Sequence, residues 1–154
     1  MTPATEAVCN HALHVFGENV LAVLLIGSYA RGTFNENSDL DVLIILESSN
    51  ESPRDRAMHY GEPDGYTGPE ISPVIYTLDE FRRMPSFVLS LLDGSETLYS
   101  RELPDGTRAD KDCLRRVEAY VADNGIERVR HKGGYYWRGL PTAPARRQTT
   151  PDRP

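Results

Sequence analysis

Two short aliphatic runs constrain the fold of this chain more than any other feature. The first covers residues 20–26 and is closed by Gly27, and the second covers residues 39–46. Both are short and bounded by turn-forming residues, so each predicts a β-strand that is covered by apolar neighbours on both faces. The whole chain has 154 residues, enough for one such domain with an extension but too few for two large domains.

The flanking segments predict helices and two further strands. Apolar spacing and capping residues predict helices over residues 3–16, 78–83, 86–93 and 109–123. Residues 70–76 predict a third strand, and Pro73 places it at an edge or a bulge because proline cannot donate to a ladder. Residues 97–100 predict a short fourth strand. We therefore expect an α/β fold, a small mixed β-sheet flanked by helices with a C-terminal helical extension.

Composition divides the chain into three parts. We expect residues 1–100 to form the main domain, residues 101–140 to add a helix and an aromatic extension, and residues 141–154 to form a disordered tail. The extension joins Tyr135 and Trp137 to nearby basic residues, a composition that fits a packed hairpin or a nucleic-acid surface. With 17 Lys and Arg against 23 Asp and Glu, the net charge of -6 argues against a nucleic-acid partner.

Cysteine usage and hydropathy exclude other classes of protein. Cys9 and Cys113 each lie in a predicted helix without a second sulfur nearby, so neither a disulfide framework nor a zinc site is indicated. The first residues lack the basic and apolar regions of a secretory signal. No apolar run approaches the roughly 20 residues that cross a bilayer. We expect a cytoplasmic protein without a membrane partner.

The segment between the first two strands carries groups suited to phosphate and metal. Gly27 permits a sharp turn at the end of a buried strand, and Ser28 offers a hydroxyl and a backbone N–H to phosphate oxygens. Ten residues separate Ser28 from Asp39, which lets the chain leave and return as the neighbouring strand. Asp39 and Asp41 then lie on one face, roughly 7 Å apart, a span over which carboxylates can share divalent cations.

These residues predict a magnesium-dependent nucleoside triphosphate site. Two close carboxylates repel each other, and one or two Mg²⁺ ions bridging them to phosphates would relieve that repulsion. An acceptor hydroxyl would then attack the α-phosphate while pyrophosphate leaves. Arg31 is a candidate nucleotide-binding residue, although an ion pair with a nearby acid such as Glu36 is the favoured interpretation. The alternative interpretation of the whole motif is that it has no function: a Gly-Ser turn and a strand that begins with Asp can occur together by chance.

The motif resembles the signature of the DNA-polymerase-beta-like nucleotidyltransferase superfamily, especially its minimal nucleotidyltransferase branch. That signature is Gly-Ser, ten residues and Asp-x-Asp, which Gly27-Ser28 and Asp39-Leu40-Asp41 fit without a gap. Further matches are Ala30, Arg31, Gly32 and Ser38. The resemblance covers about residues 5–100. It implies an enzyme that moves a nucleoside monophosphate, expected to be AMP from ATP, to a hydroxyl of a protein or small molecule.

The resemblance also implies a third acidic residue on the following strand, and here this chain departs from the pattern. Ser72 occupies the expected position, and Glu70 lies two residues earlier on the same face. There are two alternatives. Glu70 completes a catalytic, metal-binding set with Asp39 and Asp41, or the site contains these two aspartates as its only carboxylates.

Small members of this family include antitoxins, some of which transfer AMP to a tyrosine of a helical toxin. The resemblance therefore implies a nucleoside triphosphate and a helical toxin protein as candidate partners. The alternative to an enzyme is a catalytically weak nucleotide-binding or antitoxin module that acts by protein contact.

Overall fold

The computed structural model describes residues 1–132 and 134–139 and has the expected α/β architecture. The helices are α1 (Pro3–Phe16), α2 (Gly27–Arg31), α3 (Pro53–Tyr60), α4 (Leu78–Arg82) and α5 (Ala109–Asp123). The strands are β1 (Val20–Ile26), β2 (Leu40–Leu46), β3 (Ile71–Thr77), β4 (Glu96–Ser100), β5 (Glu127–His131) and β6 (Gly134–Arg138). Two segments, Gly17–Asn19 and Ser86–Asp93, are 3₁₀-helices.

The helix that was predicted to open at Ser86 is a 3₁₀-helix. It begins at Ser86, and its entry at Pro85 has no side-chain cap. The run is eight residues long and contains buried Val88, Leu89 and Leu91. Without a cap, packing of these apolar side chains rather than helix propensity holds the segment in place.

The main sheet is mixed, with the strand order β3-β2-β1-β4. β1 pairs antiparallel with both β2 and β4, whereas β2 pairs parallel with β3. All seven residues of β1 are buried, as the aliphatic run predicted. β3 lies at an edge, where Pro73 was expected to place it. The expected small mixed sheet flanked by helices is confirmed.

One face of this sheet packs against α1. The apolar cluster joins helix residues such as Val8 and Ala12 to alternate strand residues, among them Leu40 and Val42. Each fully buried Val or Leu of such a cluster contributes about 1.5–3 kcal/mol. Because side chains alternate along a strand, the residues on either side of Leu40 lie on the opposite face. The core thereby sets the direction in which Asp39 and Asp41 point.

Buried Arg56 of α3 fixes the end of β3. The residue is 1% exposed, and its Nη1 atom donates to the Ile75 carbonyl at 2.9 Å. Both terminal nitrogens also bond the carboxylate of Glu80, at 2.6 and 3.0 Å. Glu80 in turn accepts from the backbone N–H of Thr77 and so closes a capping box at the start of α4. One guanidinium thus joins α3, β3 and α4.

The first turn of α5 carries two buried aspartates with separate partners. Asp110 accepts hydrogen bonds from the hydroxyls of Thr97 and Ser100, each at 2.8 Å, and so connects α5 with β4. Asp112 accepts from Arg115 at 2.7 Å and from Arg116 at 2.8 Å within the same helix. Acidic groups at this end of a helix are also favoured by its dipole.

The chain forms two compact units, residues 1–117 and a second that begins at Glu118. In the second unit β5 and β6 form an antiparallel hairpin, in agreement with the hairpin interpretation of the aromatic extension. The predicted division at residues 100 and 140 stays a prediction, and the expected tail over 141–154 lies outside the described residues.

Both cysteines are buried, free thiols, as expected. Burial raises the pKa of each, that of Cys113 to about 12, so neither is a thiolate at neutral pH. Within the described part of the chain, no helix combines the length and apolarity required to cross a membrane.

Candidate functional site

The turn from β1 into α2 places backbone directly against a carboxylate of β2. Ile26, the last residue of β1, pairs with Asp41, and Gly27 follows with φ of 71°. A Cβ atom added at Gly27 would collide with the Asp41 carboxylate, lying only 3.1 Å from its Cγ atom. Glycine is therefore required here both for its left-handed backbone and for the close approach of Asp41.

Asp39 and Asp41 form an electrostatically unfavourable pair. Asp41 is half-buried and Asp39 is exposed. Burial raises the pKa of Asp41, the charge of Asp39 raises it further, and Arg31 acts in the opposite direction. The two carboxylates are thus close enough to interact, and a bound cation would lower the cost of keeping both ionised.

Arg31 lies at the end of α2 and turns its charge to the same region. Its Cγ atom would be 3.2 Å from a Cβ atom at Gly94, so the stem of the side chain passes close to that glycine. An ion pair with a nearby acid was the favoured interpretation; among the described residues, the acid on which Arg31 acts is Asp41, whose pKa it lowers, and not Glu36. Its role in nucleotide binding stays a prediction.

Ser72 occupies the position opposite Asp41 on β3. Its hydroxyl donates to Oδ2 of Asp39 at 3.2 Å, and its backbone pairs with Asp41 in the parallel register. Ser72 thus meets the two aspartates where a third carboxylate was expected. The sequence pointed to the position of Ser72 but not to its hydrogen bond, because the connection from β2 to β3 includes α3 and its length does not fix how the two strands pair.

Glu70 does not join the aspartates in a metal-ligand group. It is exposed and precedes β3, and its backbone carbonyl accepts from the N–H of Leu40 at 2.7 Å. Over residues 1–132 and 134–139, no three His, Cys, Asp or Glu side chains are grouped so as to hold a metal. The roles of Glu70, Asp39 and Asp41 as catalytic and metal-binding residues stay predictions.

The donor set of the site fits a magnesium ion. Asp39, Asp41 and the hydroxyl of Ser28 supply oxygen atoms only, and Mg²⁺ binds through one or two carboxylates, substrate phosphates and retained waters. Ser28 itself is half-buried within the short α2, where its carbonyl accepts from the N–H of Thr33 at 3.0 Å. Two carboxylates are therefore sufficient in kind and number for a phosphate-bridged metal.

A separate open cleft of about 670 Å³ lies on the α1 side of the sheet. Its lining includes Leu25, Leu40 and Tyr29, whose ring stacks on Phe34 with centroids 4.2 Å apart. Neither Asp39 nor Asp41 lines it. The cleft and the carboxylate site are thus on opposite faces of the sheet.

Comparison with known proteins finds a short sequence match and matches among solved structures. A 33-residue segment of this chain is 48% identical to "Putative protein adenylyltransferase MJ1305" of Methanocaldococcus jannaschii. The segment covers 21% of this chain and 22% of that protein, so the chain matches about a fifth of the relative's length. Among solved structures, a toxin-antitoxin complex with AMP-PNP matches with a TM-score of 0.49 at 13% identity, over 79% of this chain and 90% of that one. A variant of the toxin-antitoxin MntA-HpeT matches with a TM-score of 0.48 at 12% identity, over the same shares.

A family model described as a nucleotidyltransferase domain matches residues 11–95, which is more than half of the chain. The match spans β1, α2, β2 and β3 and so includes Gly27, Ser28, Asp39 and Asp41. The matched region thus contains the residues that the strands bring together at the site. The chain belongs to the nucleotidyltransferase domain family.

Proposed function

We propose that this protein is a magnesium-dependent nucleotidyltransferase that moves a nucleoside monophosphate, with AMP from ATP as the expected group, to an acceptor hydroxyl. The observation that carries the proposal is the packing of the Asp41 carboxylate against Gly27, with Asp39 acting on its pKa. This arrangement combines a phosphate-accessible backbone turn with paired oxygen ligands. Membership of the nucleotidyltransferase domain family supports it.

Each residue of the site has a distinct part in this proposal. Gly27 lets the turn approach the phosphates, and Ser28 offers its hydroxyl to them. Asp39 and Asp41 hold the metal, and Arg31 adds positive charge near the triphosphate. Bound Mg²⁺ would supply charge neutralisation at the attacking and leaving oxygens. The protein itself orients the α-phosphate and the acceptor by holding these groups in place.

Ser72 limits how well the site can activate an acceptor. A carboxylate at this position could bind metal or accept the proton of the acceptor hydroxyl, whereas the neutral Ser72 hydroxyl donates to Asp39 and holds its orientation. We therefore expect slow transfer. The same observation favours the second candidate function, a catalytically weak nucleotide-binding or antitoxin module that acts by contact with a helical toxin protein.

We propose a protein hydroxyl as the acceptor, with a small molecule as the alternative. The short match to a relative named as a protein adenylyltransferase supports this choice. A cytoplasmic location, where ATP and Mg²⁺ are supplied together, belongs to the same proposal.

Transfer of label from ATP tests the proposal. Purified protein is incubated with Mg²⁺, ATP labelled at the α-phosphate and a lysate or a candidate toxin, and labelled acceptors are resolved on a gel. We expect transfer by the wild-type chain and its loss in Asp39→Asn and Asp41→Asn. Asp123→Asn is the matched control, because it removes an exposed carboxylate outside the site.

Nucleotide binding measured by calorimetry separates the two candidates. Binding without transfer to any acceptor would favour the module. Absence of both binding and transfer in the presence of Mg²⁺ would overturn the enzyme and the nucleotide-binding module. Transfer that persists at the wild-type rate in Asp41→Asn would remove the proposed site from the reaction.

A further inference from the structure

The hairpin of β5 and β6 sorts its side chains onto two different faces. Directly opposite residues of an antiparallel pair share a face, and successive residues alternate. Arg128 lies opposite Trp137 and Arg130 opposite Tyr135, so these four side chains share one face. We call this set the basic aromatic face: Arg128, Arg130, Tyr135 and Trp137.

The opposite face of the hairpin has another character. It carries Val129 opposite Tyr136 and Glu127 opposite Arg138, and the last two form an ion pair at 2.5 Å. The charges of Glu127 and Arg138 are therefore matched within the hairpin.

The rings and cations of the basic aromatic face are accessible and already in contact with each other. Tyr135 is 53% exposed, and the guanidinium carbon of Arg128 lies 4.0 Å from the centroid of its ring. Arg130 is exposed, and Trp137 is half-buried. Tyr135 and Trp137 are two residues apart on one strand, which separates their rings by roughly 7 Å along the hairpin. This spacing leaves room for one base at each ring.

Charge in this chain is divided between its two units. Residues 118–154 contain seven Lys and Arg against four Asp and Glu, which gives a formal charge of +3. Since the whole chain has a net charge of -6, residues 1–117 have a net charge of -9. The net charge that argued against a nucleic-acid partner is therefore an average over two unlike regions. The segment that contains the hairpin is basic, as expected of a surface that meets phosphates.

We propose that the basic aromatic face binds single-stranded nucleic acid, with bases stacked on Tyr135 and Trp137 and phosphates neutralised by exposed Arg130 and by Lys132 in the turn. An acidic protein segment would satisfy the cations but would have no use for the two rings, whereas every base offers a π-face. Binding of this kind tolerates any sequence and weakens with salt. It goes beyond the proposed nucleotidyl transfer and does not depend on it.

Tryptophan fluorescence tests the stacking directly, since Trp137 is the single tryptophan of the sequence. The full chain is titrated with 20-nucleotide oligo(dT) and oligo(rU) at low salt, and affinity is measured in parallel by anisotropy of the labelled oligonucleotide. We expect quenching that saturates with the anisotropy signal. The logarithm of the affinity should fall with the logarithm of salt concentration with a slope of about -1.4, for two neutralised phosphates.

Matched variants locate the contact. Tyr135→Ala should weaken binding roughly tenfold, since stacking of one base is lost, while Tyr135→Phe retains the ring and the affinity. Tyr136→Ala is the control because that tyrosine is 48% exposed on the opposite face. Arg130→Gln should reduce the salt slope by about 0.7, and Arg83→Gln, remote in sequence and exposed, should leave it unchanged.

Three outcomes would overturn the proposal. These are no quenching by either oligonucleotide, equal losses in Tyr135→Ala and Tyr136→Ala, and binding of polyglutamate as tight as that of oligo(dT). Asp41→Asn separates this test from that of nucleotidyl transfer: it should leave oligonucleotide binding unchanged, and loss of binding there would assign the nucleic acid to the carboxylate site instead.

Discussion

Gly27 and Asp41 are in van der Waals contact across the β1–β2 pair, with the carboxylate of Asp41 occupying the space that any side chain at Gly27 would need. The glycine and the carboxylate of the sequence motif therefore act as one unit. A change at either one alters the position of the other, so the motif can be tested from both sides.

Gly27→Ala should impair both stability and the site. The new Cβ atom would have to displace the Asp41 carboxylate, and φ of 71° disfavours alanine by itself. We expect a loss of about 2–3 kcal/mol in the free energy of unfolding, measured by urea denaturation, together with loss of ATP binding.

Gly32→Ala is the matched control for this substitution. Gly32 has φ of 76°, but a Cβ atom there would have no other atom within 4 Å. This variant should show the backbone cost alone, about 1 kcal/mol, with ATP binding retained. Equal losses in the two variants would show that contact with Asp41 contributes nothing.

Asp41→Asn should raise the thermal stability of the metal-free protein. Burial and the charge of Asp39 raise the pKa of Asp41 in the folded chain, so ionisation of Asp41 costs stability as pH rises from its ordinary value through its folded value. The amide cannot ionise and so removes that cost. The Tm without metal should therefore exceed that of the wild type, as scanning calorimetry can show.

Magnesium should reverse this order if the aspartates are its ligands. Mg²⁺ with ATP is expected to raise the Tm of the wild type by mass action and to leave that of Asp41→Asn unchanged. An equal rise in both proteins would place the ion elsewhere.

Ser72→Asp should increase nucleotidyl transfer. The substitution puts a carboxylate opposite Asp41, within reach of the metal and the acceptor, and we expect a gain of about tenfold in transfer rate with little change in ATP affinity. Ser72→Ala removes only the hydrogen bond to Asp39, which contributes about 0.5–1.5 kcal/mol, and should reduce transfer by a few-fold at most.

Glu70→Gln completes this series. Unchanged turnover would exclude Glu70 from metal chemistry, in line with its exposed position before β3. A loss of a hundredfold or more, with no gain in Ser72→Asp, would instead assign the third carboxylate to Glu70.

Arg56→Ala should destabilise the fold strongly. It leaves the half-buried carboxylate of Glu80 without its cation and removes the donor to the Ile75 carbonyl, at a cost of about 3–5 kcal/mol. Arg83→Ala removes another arginine–carboxylate pair, with Asp79 on the surface of the same region, and should cost less than about 0.5 kcal/mol. Chemical denaturation of both variants checks the contrast.

The Arg56 pair should also shape the acid limb of the stability curve. Although burial acts to raise it, hydrogen bonds from Arg56 and from the N–H of Thr77 hold the pKa of Glu80 below its ordinary value. The resulting stability is fully present above that ordinary value and is lost as pH falls through the lower, folded value. Glu80→Gln should therefore flatten the dependence of Tm on pH in the acid range, and an unchanged slope would contradict this role.

Features that depend on local pattern were predictable from the sequence. The strands β1 and β2 follow from continuous aliphatic runs, and the start of α1 follows from the cap at Thr2 and from Pro3. Pro73, which has no N–H to donate, predicted an edge position or a bulge for β3, and the strand lies at an edge.

Features that depend on contacts between distant segments were not predictable. Arg56 lies in a polar helix that resembles a surface segment, and its partner Glu80 is 24 residues away, so nothing local marks it as buried. The hydrogen bond from Ser72 to Asp39 depends on the register of a parallel pair, which sequence spacing does not fix. The two faces of the hairpin likewise required the pairing of β5 with β6.

The outer edge of β3 is protected against pairing with another strand. The N–H of Leu40 bonds the carbonyl of Glu70, so alternate residues of β3 turn their backbone groups to β2, and Pro73 and Ile75 turn theirs outward. Pro73 offers no donor there, and the Ile75 carbonyl is taken by Arg56. Open sheet edges recruit other chains into aggregates, and here two side chains close that route. The same guanidinium that ties three elements together also keeps the sheet from growing.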